Sequence, residues 1–156
     1  MKSNKRPGFR PLNPDFEQNV RINFDRQGLM QTLSATVVSI KPGNVAIKAP
    51  VGKKVSQQDG FPHAGFGWSL GDSAAGFSAL SLMAPGERVL TIEMKTNLLS
   101  PATGDVLVAE GRVIRFGRRV CTVAAEIYTE LADDPDIKHV ATMLGTMIRV
   151  PPEDRG

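Results

Sequence analysis

His63 and Asp72 are of types, and at a spacing, that invite a chemical reading. They stand nine residues apart in HAGFGWSLGDSAAGFSALSLM, residues 63–83. Asp72 is the single carboxylate of that stretch, which contains no Lys or Arg to pair with it. The stretch otherwise reads as a helix of small and apolar residues, and burial without a counter-charge raises a carboxyl pKa. Three roles for Asp72 follow: a local structural cap, a partner for a cation across a subunit interface, or a functional carboxylate at the wall of a cleft. Asp is a poor mid-helix residue because its short side chain competes with the backbone, which tilts the balance toward function. At about 100° per residue, nine steps carry His63 and Asp72 to opposite faces of one helix, so a site using both takes one from a second subunit. Read alone, His63 is equally a polar helix-start residue without a chemical role. The helix start Pro62-His63-Ala64-Gly65 also offers free backbone N–H groups at the positive end of the helix dipole. Such groups can hold a developing oxyanion. With a carboxylate base or nucleophile, they are sufficient for hydrolysis of an activated acyl group.

The elements that must position these groups are legible in outline. The chain has 156 residues, enough for one domain with a real core. Hydrophobic content of 41% and charged content of 22% are ordinary for a soluble globular protein. Residues 1–14 are expected to be a flexible basic tail, 15–150 one domain, and 151–156 a polar tail. The first residues carry no apolar run, so no secretory leader is expected, and the glycines, His63 and Asp72 argue against a membrane span in the most apolar stretch. Phe16, Val20, Phe24 and Met30 recur at roughly helical spacing and predict a helix from Asp15 to about Leu33. SATVVSIKPGNVAIKAP reads as two strands around Pro42-Gly43-Asn44. After the long helix come RVLTIEMKTNLL, then TGDVLVAEGRVIRF and RRVCTVAAEIYTEL as a hairpin at Gly117, a loop over Asp133–Asp136, and a last strand in KHVATMLGTMIRV. A run of strands with few helices points to an α+β fold with an antiparallel sheet. Gly65, Gly67, Gly71 and Gly76 each cost the helix about 1 kcal/mol of propensity, a cost accepted where backbones approach closely. With Phe66, Trp68, Leu70 and Phe77 spread around the cylinder, the prediction is a strongly curved sheet wrapped around one central helix.

Other chemistry is sparse. Cys121 is the only cysteine, which excludes an intrachain disulfide and favours the cytoplasm. Its place in RRVCTVAAEIY reads as a small buried residue rather than a nucleophile. The second histidine, His139, lies far off in the last strand, so neither a Ser-His-Asp set nor a metal-ligand spacing forms. The net charge of +3 falls short of the clustered charge of a nucleic-acid binder. Part of that excess, at Lys2, Lys5, Arg6 and Arg10, belongs to the N-terminal tail.

At this point the chain resembles the hotdog-fold acyl-CoA thioesterases of the PaaI-like, phenylacetic-acid-degradation type. That family has a loop, a His-Gly-Gly, and an acid nine residues after the His; His63-Ala64-Gly65 and Asp72 keep the spacing. LTIEMKTNLLSP resembles its third strand and Ser-Pro turn, and VIRFGRRVCTVAAEI its long central hairpin. The likeness covers about residues 30–150. It implies that Asp72 is general base or nucleophile on the thioester carbonyl, that the Ala64 N–H, with Gly65 beside it, is the oxyanion donor, and that Thr91 helps place the attacking water. It puts Gln57 where many members have Asn, and Ala64 replaces the usual Gly. It implies a site shared between two subunits, dimers that commonly pair into tetramers, and no cofactor beyond the coenzyme A of the substrate. Because coenzyme A carries phosphates, Arg115, Arg118 and Arg119 around the Gly117 hairpin become candidate contacts, with an ordinary charged hairpin end as the alternative. Trp68 is a candidate for the substrate pocket, one turn before Asp72, although Trp68, Phe66 and Phe77 also suit the core. A non-catalytic acyl-CoA-binding module and an acyl-thioester dehydratase are the competing readings, and the acyl group is left open.

Overall fold

The computed structural model describes residues 8–131 and 134–152. Two short helices, α1 (Phe16–Asp25) and α2 (Gly28–Thr32), precede a hairpin of β1 (Thr36–Lys41) and β2 (Asn44–Pro50). A single 3-10 turn, Lys53–Val55, leads to the long helix α3 (Ala64–Leu80). Four strands follow: β3 (Arg88–Leu98), β4 (Val106–Phe116), β5 (Val120–Leu131) and β6 (Asp134–Val150). They form one six-stranded sheet in the order β1-β2-β4-β5-β6-β3, antiparallel at every pairing. This is the expected α+β arrangement, with α3 packed against β2, β3, β4 and β5.

The helix sits close to the sheet because glycines on both sides remove the side chains that would hold them apart. A methyl at Gly111 of β4 would strike the Ala74 carbonyl and the Ala75 nitrogen, backbone atoms with nowhere to go. One at Gly71 would meet the Met143 thioether and the Ile127 side-chain tip, which are mobile ends. Helix serines complete the junction. Ser78 Oγ donates to the Ala74 carbonyl (2.7 Å) and accepts from the Val45 N–H (2.9 Å). Ser81 Oγ does the same between Ser78 and Gly43. α1 and α2 lay Val20, Phe24 and Met30 into the core, with the Phe24 and Phe77 rings 5.9 Å apart. As a result every residue from Leu70 to Met83 is buried except Asp72.

Three expectations change. The predicted single helix from Asp15 to Leu33 is two: Gln27 adopts an extended backbone (ψ 101°) ahead of Gly28, a weak helix former, and the axis breaks there. Residues 8–14 also depart from the expected tail. Phe9 packs on the core and the Leu12 N–H reaches the Leu82 carbonyl at 3.3 Å, so residues 8–14 lie against the domain; Lys2, Lys5 and Arg6 fall outside the described residues. The expected loop at Asp133–Asp136 is strand from Asp134 onward, paired with Leu131; Asp133 itself lies outside the described residues. Composition misleads there because β6 runs past the end of β3, whose pairing stops at Leu98 with Ala141. A strand with one open edge tolerates a proline such as Pro135.

The close approach is testable. Gly111→Ala should lower stability by about 3 kcal/mol in denaturant titration, at the upper end of overpacking costs, because backbone must move. Gly71→Ala should cost clearly less, since Met143 and Ile127 can turn aside. Equal costs would place the constraint elsewhere.

Candidate active site

Asp72 marks the single opening in the buried length of α3. It lies in a cavity of about 210 Å³ with Thr91, Met147, Ser73 and Gln27. The Thr91 hydroxyl donates to Asp72 Oδ1 at 2.7 Å and has Met147 Sδ at 3.6 Å as a second acceptor. Thr91 reaches this position next to a register shift between Thr91 and Glu93 in the pairing of β3 with β6. An extra residue there, Ile92, re-aims the strand, a common use of bulges beside functional sites. Among the described residues no Lys, Arg or His forms an ion pair with Asp72. Burial therefore pushes its pKa above 3.8, and the Thr91 hydrogen bond offsets only part of that rise.

His63 caps α3. Its backbone is extended (φ −62°, ψ 139°), and its Nδ1 accepts the Gly65 N–H at 2.9 Å. The Phe66 N–H goes to the His63 carbonyl. Gly65 is thus occupied by its own cap, and Ala64 is left as the helix-start residue whose N–H has no partner within the described chain. The preceding loop is fixed by its backbone: the Gln57 N–H donates to the Phe61 carbonyl and the His63 N–H to the Val55 carbonyl, both at 2.8 Å. Gln57 Oε1 accepts the Asp59 N–H.

Gln57, His63, Ala64 and Trp68 line a second and larger cavity of about 410 Å³, closed by apolar residues such as Leu98 and Val140. It shares no lining residue with the Asp72 cavity. Within one chain, then, the candidate residues fall into two groups: Asp72 with Thr91, and Gln57 with His63, Ala64 and Trp68. Trp68 is 39% exposed and belongs to the Ala64 group, whereas Phe66 and Phe77 are core. Arg115, Arg118 and Arg119 are exposed and line neither cavity. Their hairpin does lie at the Asp72 end of the sheet, since Phe116, Cys121, Met147 and Thr91 form one row across β4, β5, β6 and β3. Arg149 anchors it there, donating from Nη1 to the Gly117 carbonyl (3.2 Å) and from Nη2 to both oxygens of Glu87. Cys121 is fully buried, and burial raises its thiol pKa, as befits a packing residue.

Sequence reading passed over Gln27 and Ser73. The Ser73 hydroxyl donates to Gln27 Oε1 at 3.1 Å and both wall the Asp72 cavity. Adjacency to Asp72 is a signal for Ser73. Gln27 arrives from the break between α1 and α2, which only tertiary packing reveals.

With this geometry in view, comparison with known proteins is direct. Residues 60–132 match the model of the thioesterase superfamily. A thioesterase family protein from Silicibacter pomeroyi is 36% identical, with a TM-score of 0.84 over 87% of this chain and 98% of that one. The chain belongs to the thioesterase superfamily and is a thioester hydrolase. Its α+β architecture is the hotdog fold. The Escherichia coli PaaI protein of the phenylacetic acid degradation operon shares it at 21% identity, with a TM-score of 0.79 over 90% of this chain and 97% of that one. A Haemophilus influenzae thioesterase shares it at 17% identity and TM-score 0.77, over 88% and 92% of the two chains. No helix among the described residues is long and apolar enough to cross a membrane.

The desolvation of Asp72 has a measurable consequence. At pH well below 3.8 the carboxyl is protonated in folded and unfolded chains alike. Above its raised folded value it is charged in both, and only the folded state bears the burial penalty. Stability from this group is therefore lost as pH rises through the window above 3.8. Asp72→Asn should melt higher than the natural protein at neutral pH, and the difference should close on acidification. A variant less stable at neutral pH would show that the carboxylate is structurally supported.

Proposed function

We propose that the protein hydrolyses an acyl-CoA thioester to a carboxylic acid and free coenzyme A, at a site completed by two copies of the chain. The observation that carries this reading is the division of the site. Among the described residues, a half-buried carboxylate without a counter-cation lies in one cavity, and a helix-start N–H without an acceptor lies in another. Each lacks what the other supplies. The outer edge of β3 offers the means of joining them. It has no strand partner among the described residues, and it carries Leu90, Ile92 and Leu98, each more than half exposed. Pairing two such edges about a two-fold axis closes an otherwise aggregation-prone strand. Under this reading the dimer brings Asp72 of one protomer toward Ala64 of the other.

In the reaction the thioester carbonyl oxygen accepts the Ala64 N–H, so the charge of the tetrahedral adduct develops at the positive end of α3. Thr91 holds Asp72 Oδ1, leaving the other oxygen to take a proton from water as the water attacks the carbonyl carbon, or to attack that carbon itself. Collapse of the adduct breaks the C–S bond; in the first course the departing thiolate takes the proton that Asp72 gained from water, and in the second it takes a proton from water, after which another water hydrolyses the acyl–aspartate anhydride to the acid and restores the carboxylate. Gln57 and the His63 ring flank the oxyanion position, and the His63–Gly65 cap fixes the helix start. The Ala64 methyl narrows the approach compared with glycine but keeps the donor. Arg118 and Arg119, with Arg115 behind them, supply positive charge for the coenzyme A phosphates at the Asp72 end of the sheet. The same reading makes coenzyme A part of the substrate with no separate cofactor, pairs dimers into tetramers, and places the protein in the cytoplasm.

Thiol release from a panel of acyl-CoAs tests the proposal. Asp72→Asn should lose about two orders of magnitude or more in kcat with the fold retained. Ala64→Pro removes the donor while suiting the first helical position, and should lose about 100- to 1,000-fold. Turnover that survives both substitutions, or no turnover of any acyl-CoA by the natural protein, would refute it.

A further inference from the structure

The larger cavity contains an anomaly. Thr96, on β3, lines it, and the Thr96 hydroxyl is buried with no hydrogen-bond partner among the described residues. Buried hydroxyls are nearly always paired, and leaving one unpaired costs about 1–3 kcal/mol. The other hydroxyl in the lining, Ser100, donates to the His139 carbonyl at 2.6 Å. Thr96 has Met94 and Leu98 on the same face of the strand, positions that a Val would fill equally well. Among the described residues no Lys, Arg, Asp or Glu lines the cavity, and its remaining walls include Phe61, Leu107, Ile127 and Val140. A charged acyl tail would be stranded there. A neutral tail bearing one hydrogen-bonding group would not, provided that group meets Thr96. Rotation about the Thr96 Cα–Cβ bond moves the hydroxyl between staggered wells.

We infer that Thr96 is a specificity-determining residue, and that the cavity beside Ala64 selects acyl groups carrying a neutral hydroxyl or similar hydrogen-bonding substituent. This rests on the acyl-CoA hydrolase reading above. A site with an unpaired buried polar group discriminates against the analogue that leaves it unpaired.

The test uses straight-chain acyl-CoAs with a hydroxyl walked along successive carbons, each compared with its unsubstituted parent by kcat/KM. For the unsubstituted protein, one position of the hydroxyl should be preferred over the parent by about tenfold. Thr96→Val should bring that ratio to about one, whereas Thr96→Ser should keep it. Several results overturn the inference while leaving the hydrolase reading intact: no preference at any position, a preference unchanged in Thr96→Val, or a Thr96→Val protein whose subunit assembly is altered. The last would assign the hydroxyl to the subunit contact. Failure to turn over any thioester removes both readings together.

Discussion

The burial of α3 is the constraint on which the rest of the structure depends. A helix enclosed from Leu70 to Met83 can reach its sheet only if side chains are absent at the points of contact, which is why Gly111 faces Ala74 and why Gly71 faces Met143. Enclosure also concentrates the helix's chemistry where the wrapping stops. The N-terminal turn, from Ala64 to Ser69, is only partly covered, and the Ala64 N–H has no partner among the described residues. Asp72 is the other breach, on the flank where β3 begins. A single helix thereby presents a partial positive charge at one opening and a carboxylate at the other.

That separation gives the electrostatics their logic. If Asp72 lay beside the N-terminus of its own helix, the dipole would favour its charged form and lower its pKa. Placed in the middle of the helix and hydrogen-bonded by one hydroxyl, it keeps part of its desolvation penalty, and its pKa stays raised. A carboxylate in that condition is a better proton acceptor than one held by a cation. The bulge at Ile92 that orients Thr91 thus acts on the electrostatics of Asp72 as well as on sheet geometry, and it lies on the strand whose outer edge has no strand partner among the described residues.

Much of this was legible in the sequence because the relevant signals are local. The glycine-rich, all-round apolar helix, the turn at Gly43, the hairpin at Gly117 and the nine-residue step from His63 to Asp72 are all short-range patterns. The opposite-face argument expected His63 and Asp72 not to converge within one chain, and they line different cavities. What escaped depended on tertiary context. The helix break at Gln27 is a backbone angle, and the strand character of 134–136 follows from pairing with β5 past the end of β3, which local composition does not report. The occupation of the Gly65 N–H by His63 is a side-chain choice that spacing leaves open. The unpaired Thr96 hydroxyl shows only once the walls of its cavity are assembled.

The central claim is that Asp72 and Ala64 act together from different copies of the chain, and subunit mixing tests it most directly. Asp72→Asn and Ala64→Pro proteins, each inactive alone, would be dissociated, combined in equal amounts and reassembled. If the two residues meet across the interface, each mixed dimer has one site with both intact, and activity should return to about one quarter of the natural level. If both act within one chain, no mixed dimer holds a complete site, and the mixture would stay as inactive as its components.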